Sequence, residues 1–316
     1  MDFWDRAGRW AAYGAALALT PYLVIKVVWV LGSGFDSAGW ILLNTVTIGM
    51  AGIGITLALA LVRPWGTRIP GRLVVLCAWT GAGFLVPVLP YALLSAVLDP
   101  PRTRAWEGAL LQAGFVGMGL GLALALPAYM RRRWPYAFEG DRHGPPPRTG
   151  AVPAALAAGA GLVWLYWAVG GGLGVAHPGE RSTGGAVLAG LGGCWALVGA
   201  VAVRALVRGR PRGRLSRAPR WVPLVLGFLG SGSLFAWSGW KLPVTALVAL
   251  GVPVGLELPE EPVVAVAVHA AAVVAGAGLL RTLLAASREP APGQGLSAGP
   301  VAGPEAPGGG RSPGRR

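Results

Sequence analysis

The chain has 316 residues, of which 54% are hydrophobic and only 13% charged, with a mean hydropathy of +0.57 and a formal net charge of +14. Soluble domains carry roughly 25% charged residues, spread over helix faces and loops, so this composition excludes an ordinary soluble fold. It also argues against a nucleic-acid binder, because the arginines cluster between apolar runs rather than on one face of a soluble domain.

The apolar runs predict eight α-helical spans, at 10–32, 40–62, 73–97, 108–130, 151–175, 185–207, 221–240 and 262–282. Each approaches or exceeds the roughly 20 residues that cross a bilayer core of about 30 Å. Met1–Arg9 is short and mixed in charge. The run that follows is too long for a signal-peptide core and lacks a small-x-small site after it, so it reads as the first span. Span seven is predicted to stop near Trp240, before Lys241 and Pro243, which leaves 243–256 as a re-entrant or interfacial segment. The expected organisation is a four-span half over 1–138, a Pro-rich linker over 139–150, a second half over 151–288 and a disordered tail over 289–316.

The connections alternate in charge. One set, with both termini, holds 22 of the 27 Lys+Arg and 6 of the 13 Asp+Glu; the other holds 4 bases and 7 acids. The excess of bases predicts a multi-pass protein of the cell membrane with both termini in the cytoplasm, its arginines facing anionic lipid.

Three short matches suggest an internal repeat. Trp29–Phe35 matches Trp167–Leu173 at an offset of 138, Ala60–Arg63 matches Ala205–Arg208 at 145, and Gly81–Gly83 matches Gly230–Gly232 at 149. Two repeats of four spans each run parallel, not inverted. The predicted fold class is therefore an all-α, polytopic transmembrane helical bundle of about eight spans, built from two parallel four-helix repeats. A pocket between the halves is then the default site.

Few residues inside the spans carry chemistry. Lys26 is an ammonium among Val24, Ile25, Val27 and Val28. An intramembrane lysine costs roughly 2.5–3.5 kcal/mol at the bilayer centre, which marks it as a functional candidate. The alternative is snorkelling, since Lys26 lies about 9 Å below Gly32. Asn44, Gln112 and His269 lie toward the same end of their spans and are candidates to line a pocket with Lys26. For Asn44 and Gln112 the competing role is interhelical hydrogen bonding, and for His269 a packed histidine. Trp164, Tyr166 and Trp167 read as packing or as an aromatic ligand wall, and Gly117 and Gly121 as a close helix contact. Cys77 and Cys194 read as small buried apolar residues. No Gly-x-Ser-x-Gly, phosphate-binding loop or zinc motif is present, and no cofactor or metal is implied.

The string Pro21-Tyr22-x3-Lys26-x2-Trp29-x2-Gly32 and the Ala/Gly/Arg/Pro-rich composition resemble polytopic membrane proteins of unknown function from high-GC actinobacteria. That resemblance implies a plasma-membrane protein and carries over no ligand residues. Three functions follow as expectations. The first is a permease-like protein with a polar pocket around Lys26. The second is a non-transporting scaffold or accessory subunit, binding a cytoplasmic partner or anionic lipid. The third is an intramembrane lipid-modifying enzyme, which lacks a visible acid/base pair. Partners are the bilayer and a membrane protein or a second copy of the chain.

Overall fold

In a computed structural model, residues 3–32, 38–98, 105–133, 150–180, 182–208, 221–252 and 258–286 are described. They form nine helices: α1 (Phe3–Leu31), α2 (Ala38–Ala60), α3 (Gly71–Leu85), α4 (Leu89–Leu98), α5 (Ala105–Arg133), α6 (Ala151–Ala168), α7 (Thr183–Arg208), α8 (Trp221–Ala249) and α9 (Pro262–Ala286). A 3-10 turn at Val86–Val88 joins α3 and α4 into one bent span. Seven spans, counting Gly71–Leu93 as one, are long and apolar enough to cross a membrane. The eighth element, α2, has 23 residues and is apolar over Asn44–Ala60. The protein is thus an all-α, multi-pass membrane bundle. Leu17, Val28, Ile53, Leu124, Val201 and Val274 are exposed on its outside, as lipid contact requires.

The first helix begins early, since α1 starts at Phe3 rather than 10, and three further spans differ from the sequence expectation. Span three is not one straight helix, because Pro87 lies in the 3-10 turn that breaks it. Span five, helix α6, ends at Ala168 rather than 175. Gly170 adopts a φ of +96° and Gly174 one of +76°, left-handed values that a helix cannot continue and that glycine accepts without a Cβ penalty. Span seven does not stop at Trp240. α8 runs on through Lys241 and Pro243 to Ala249, so 243–249 is helix rather than a re-entrant or interfacial segment. Residues 253–257, the 139–149 part of the linker, most of the 208–220 arginine cluster and the tail from 289 lie outside the described residues.

The helix ends define two faces. One, the terminal face, holds the start of α1, the ends of α2 and α5, the starts of α3 and α6, and the end of α9. The far face holds residues 169–180 after α6, the end of α8 with residues 250–252, and residues 258–261 before α9. Helices in lipid gain little from burying apolar surface and associate through close backbone approach. α1 and α5 show this. A Cβ on Gly117 would collide with Ala18, one on Gly121 with Ala15, and one on Gly8 would lie 2.6 Å from the Ala128 Cβ. The predicted Gly117/Gly121 pair is therefore the seam between the first and fourth spans.

α8 is the centre of the molecule. Of its membrane window 56% is buried inside the bundle, against 22–39% for the other spans. Its glycines meet three different helices. A Cβ on Gly227 would lie 2.7 Å from Leu283 of α9, one on Gly230 2.6 Å from Gly199 of α7, and one on Gly232 2.6 Å from the Trp79 carbonyl of α3. Two apolar cores result. One joins α1, α2, α3 and α5, with Phe228 of α8 reaching into it; the other joins α6, α7, α8 and α9. They meet along α3 and α8. There Gly83 and Gly232, residues paired by the offset of 149, approach so closely that a Cβ on either would strike the other's helix. Around that contact the Trp79 Nε1–H donates to Ser231 Oγ at 3.0 Å, and Trp237 Nε1–H donates to the Phe84 carbonyl at 3.0 Å. The Phe84 and Trp237 rings stack at 4.3 Å.

Candidate functional site

The four candidate residues fall in three places. The Lys26 ammonium donates to Asn44 Oδ1 at 2.7 Å. Its Nζ also lies 4.7 Å from the Trp29 ring and 5.8 Å from the Tyr22 ring. Lys26 is half-buried and Asn44 almost fully buried, so the pair joins α1 to α2 with the charge held by an amide oxygen and two π faces. Gln112 Nε2 donates to the Ala92 carbonyl at 2.7 Å and ties α5 to α4. These are the interhelical hydrogen bonds weighed for Asn44 and Gln112. His269 is elsewhere, on α9, with its Nδ1 3.2 Å from Ser238 Oγ of α8.

His269 lines a cavity of about 310 Å³ that opens toward the far face. Lys26, Asn44 and Gln112 do not line it. The structure therefore separates His269 from the Lys26 pair that sequence position had grouped with it. Elements from both halves build the walls. Pro87 and Val88, at the break in span three, come from the first half. The second half supplies Gly185, Leu188 and Gly192 of α7, Ser233, Trp237, Ser238 and Lys241 of α8, and Trp164 of α6. Glycines at 185 and 192 leave room where larger side chains would fill it.

The chemistry is concentrated at the mouth and along one wall. Lys241 supplies an ammonium, Glu260 a buried carboxylate, Ser233 and Ser238 hydroxyls, and His269 an imidazole. Glu260 is held by backbone pairing between the two far-face loops. Ala176 N–H donates to the Pro259 carbonyl at 3.0 Å and Glu261 N–H to the Gly174 carbonyl at 3.0 Å, giving the isolated bridge between Val175 and Glu260. The turn glycines that end α6 thus let its loop fold back and fix a carboxylate over the cavity. The aromatic cluster of α6 divides its roles. Trp164 faces the cavity with its ring 6.1 Å from His269. Trp167 is buried and donates to the Leu173 carbonyl at 2.8 Å, while Tyr166 Oη accepts from the Leu173 N–H at 3.2 Å.

Of the polar residues in the cavity, only His269 is a candidate from the sequence; Ser233, Ser238, Lys241 and Glu260 are not. Lys241 and Glu260 fall in the loop expected after a helix ending at Trp240. The available signal was the apolar run from Val244 to Leu250, which continues the helix past Pro243. Lys241 lies 20 residues along α8 from Trp221, about 30 Å and so about one core thickness; with Trp221 at the interface of the terminal face, Lys241 reaches headgroup depth on the far side, where an ammonium is tolerated. Cys194 is exposed rather than buried, and Cys77 is partly buried. Among the described residues no cluster of His, Cys, Asp and Glu is suited to a metal ion.

No known family model matches the chain, and no curated protein or solved structure matches it.

Proposed function

We propose that the protein is a permease-like carrier of a small solute in the cell membrane, with the cavity around Ser238, Lys241, Glu260 and His269 as its binding site. The carrying observation is a mixed-charge, tryptophan-walled cavity at a break in a membrane span, between two four-helix units. Broken spans and sites at the junction of two repeats are the architecture of many secondary carriers. A volume of about 310 Å³ is at the small end for ligand sites. Ammonium, carboxylate and aromatic walls together suit a small zwitterion with an apolar part. The Lys26–Asn44 pair is then structural, and the far face, poor in bases, is extracellular. The resemblance in the first span to actinobacterial membrane proteins fits a plasma-membrane location. The two halves, offset by 138 to 149 residues, are read as a parallel duplication meeting at Gly83 and Gly232. A scaffold has no need of such a cavity, which is why carriage is preferred.

The test is two-sided access to Ser238. Cys77→Ala and Cys194→Ala remove the native thiols, and Ser238→Cys places one in the cavity. A charged, membrane-impermeant methanethiosulfonate is applied to sealed vesicles of each orientation. A carrier exposes the new thiol to the far side in one state and to the terminal side in the other, so both preparations react. Reaction from one side alone, or from neither, overturns carriage.

A further inference from the structure

A second cavity, of about 610 Å³, lies at the terminal face, remote from the first. It is bounded by the start of α1, the end of α2, the 3-10 turn Pro64–Arg68 and the end of α5. Four arginines line it, Arg9, Arg63, Arg132 and Arg133, with Asp5 as the one carboxylate. Its lining therefore carries a formal excess of three positive charges.

Two of these arginines build the walls. Arg132 donates to Asp5 Oδ1 at 3.1 Å and to the Leu61 carbonyl at 3.0 Å. Arg133 donates to the carbonyls of Thr67 and Ile69, at 3.3 and 3.2 Å, and to Tyr129 Oη at 3.0 Å. They hold the α2–α3 connection against α5. Arg9 and Arg63 are exposed at the rim, and the Arg63 guanidinium is steadied 5.4 Å from the Tyr13 ring. Planar guanidiniums beside a concave surface recognise a phosphate by pairing with two of its oxygens, through parallel N–H···O bonds. The shared ligand chemistry is thus a phosphate ester, from either a lipid or a soluble molecule.

The surroundings choose between them. Phe3, Trp4, Trp10 and Trp65 are exposed near the same face, and aromatic rings exposed at span ends lie at headgroup depth. We infer that this cavity binds the headgroup phosphate of an anionic phospholipid, with Arg9 and Arg63 as its contacts and Arg132 and Arg133 as its frame. Basic pockets between spans are a recurrent way of holding such lipids. This site is independent of the carrier reading.

The test uses the full chain in neutral detergent, titrated with phosphatidylglycerol, phosphatidylcholine or inorganic phosphate, with bound lipid counted by native mass spectrometry. Phosphatidylglycerol is expected to bind at least tenfold more tightly than phosphatidylcholine, and to resist a hundredfold excess of inorganic phosphate. Arg9→Gln with Arg63→Gln is expected to weaken it about thirtyfold, each charge near a membrane surface contributing about fivefold. Thr67→Glu, at an exposed lining residue that meets Arg133 through its backbone carbonyl alone, is expected to weaken it comparably, and it tests the site should the arginine variant fold poorly. Equal binding of the two lipids, displacement by phosphate, or unchanged affinity in a folded variant overturns the inference.

Discussion

Lys26 shows how much one residue's sequence environment reveals and where it stops. A lysine among valines in a span announces itself, because its charge must be met inside the membrane or carried to the interface. What meets it cannot be read from the sequence, since Asn44 is on another helix. The structure supplies that oxygen at 2.7 Å. The consequence is a coupling that can be measured. Asn44→Ala removes the oxygen and leaves the ammonium to its rings, with an expected loss of about 1–2 kcal/mol, above the 0.6 kcal/mol average of neutral interhelical bonds in membranes. With Lys26→Met already present, the same substitution should cost much less. Reversible unfolding in mixed micelles of the single and double variants reads the difference. Costs that add to within about 0.5 kcal/mol would show that the two side chains do not interact. His269 is the contrary case. Its polarity was visible, but its company was not, because Ser238 meets it, and Lys241 and Glu260 join it in one cavity, only through the folding of α8 and the far-face loops.

At the scale of helices, the apolar runs were legible and their interruptions were not. Pro21 in α1, Pro127 in α5 and Pro243 in α8 all lie inside continuous helices. Pro87 sits in a break. Each proline removes one backbone bond, and in a bundle neighbouring groups decide whether the helix continues, so proline alone did not locate the ends. Glycine was more informative. Gly81 and Gly83 are two residues apart on α3 and face different neighbours. A Cβ at Gly81 would lie 3.7 Å from Leu122 Cδ1, an ordinary contact, whereas one at Gly83 would strike the Gly232 backbone. Gly83→Ala is therefore expected to destabilise the fold by about 1–3 kcal/mol, the usual cost of overpacking. Gly81→Ala should stay within about 0.5 kcal/mol, aided by better helix propensity. The same unfolding measurement separates them, and equal effects would remove Gly83 as the point of closest approach.

For the whole molecule, the distribution of charge was legible because it depends on alternation alone. Arg6, Arg9, Arg63, Arg68, Arg72 and Arg131–Arg133 all lie toward the terminal face, whereas Glu107, Glu260 and Glu261 lie toward the far face. A pocket between the halves was an expectation of the repeat, but its lining was not legible, since it needs α6, α7, α8 and the break in span three to be brought together. Orientation follows as an expected outcome. With bases held on the cytoplasmic side, alkaline phosphatase fused after Ser33 should be active, and fusions after Arg142 and Arg316 inactive. Fluorescent-protein fusions at the same points should report the reverse. Position 261 is the most informative, because α8 runs past Lys241 and Pro243, where the sequence invites a stop. If α8 crosses once and emerges at Gly251, phosphatase fused after Glu261 is active. If 243–256 instead formed a span of its own, that end would return to the cytoplasm, the fusion would be inactive, and α9 would have to run the opposite way. The carboxylate of Glu260 would then lie on the wrong side of the membrane from Lys241, and the cavity could not form.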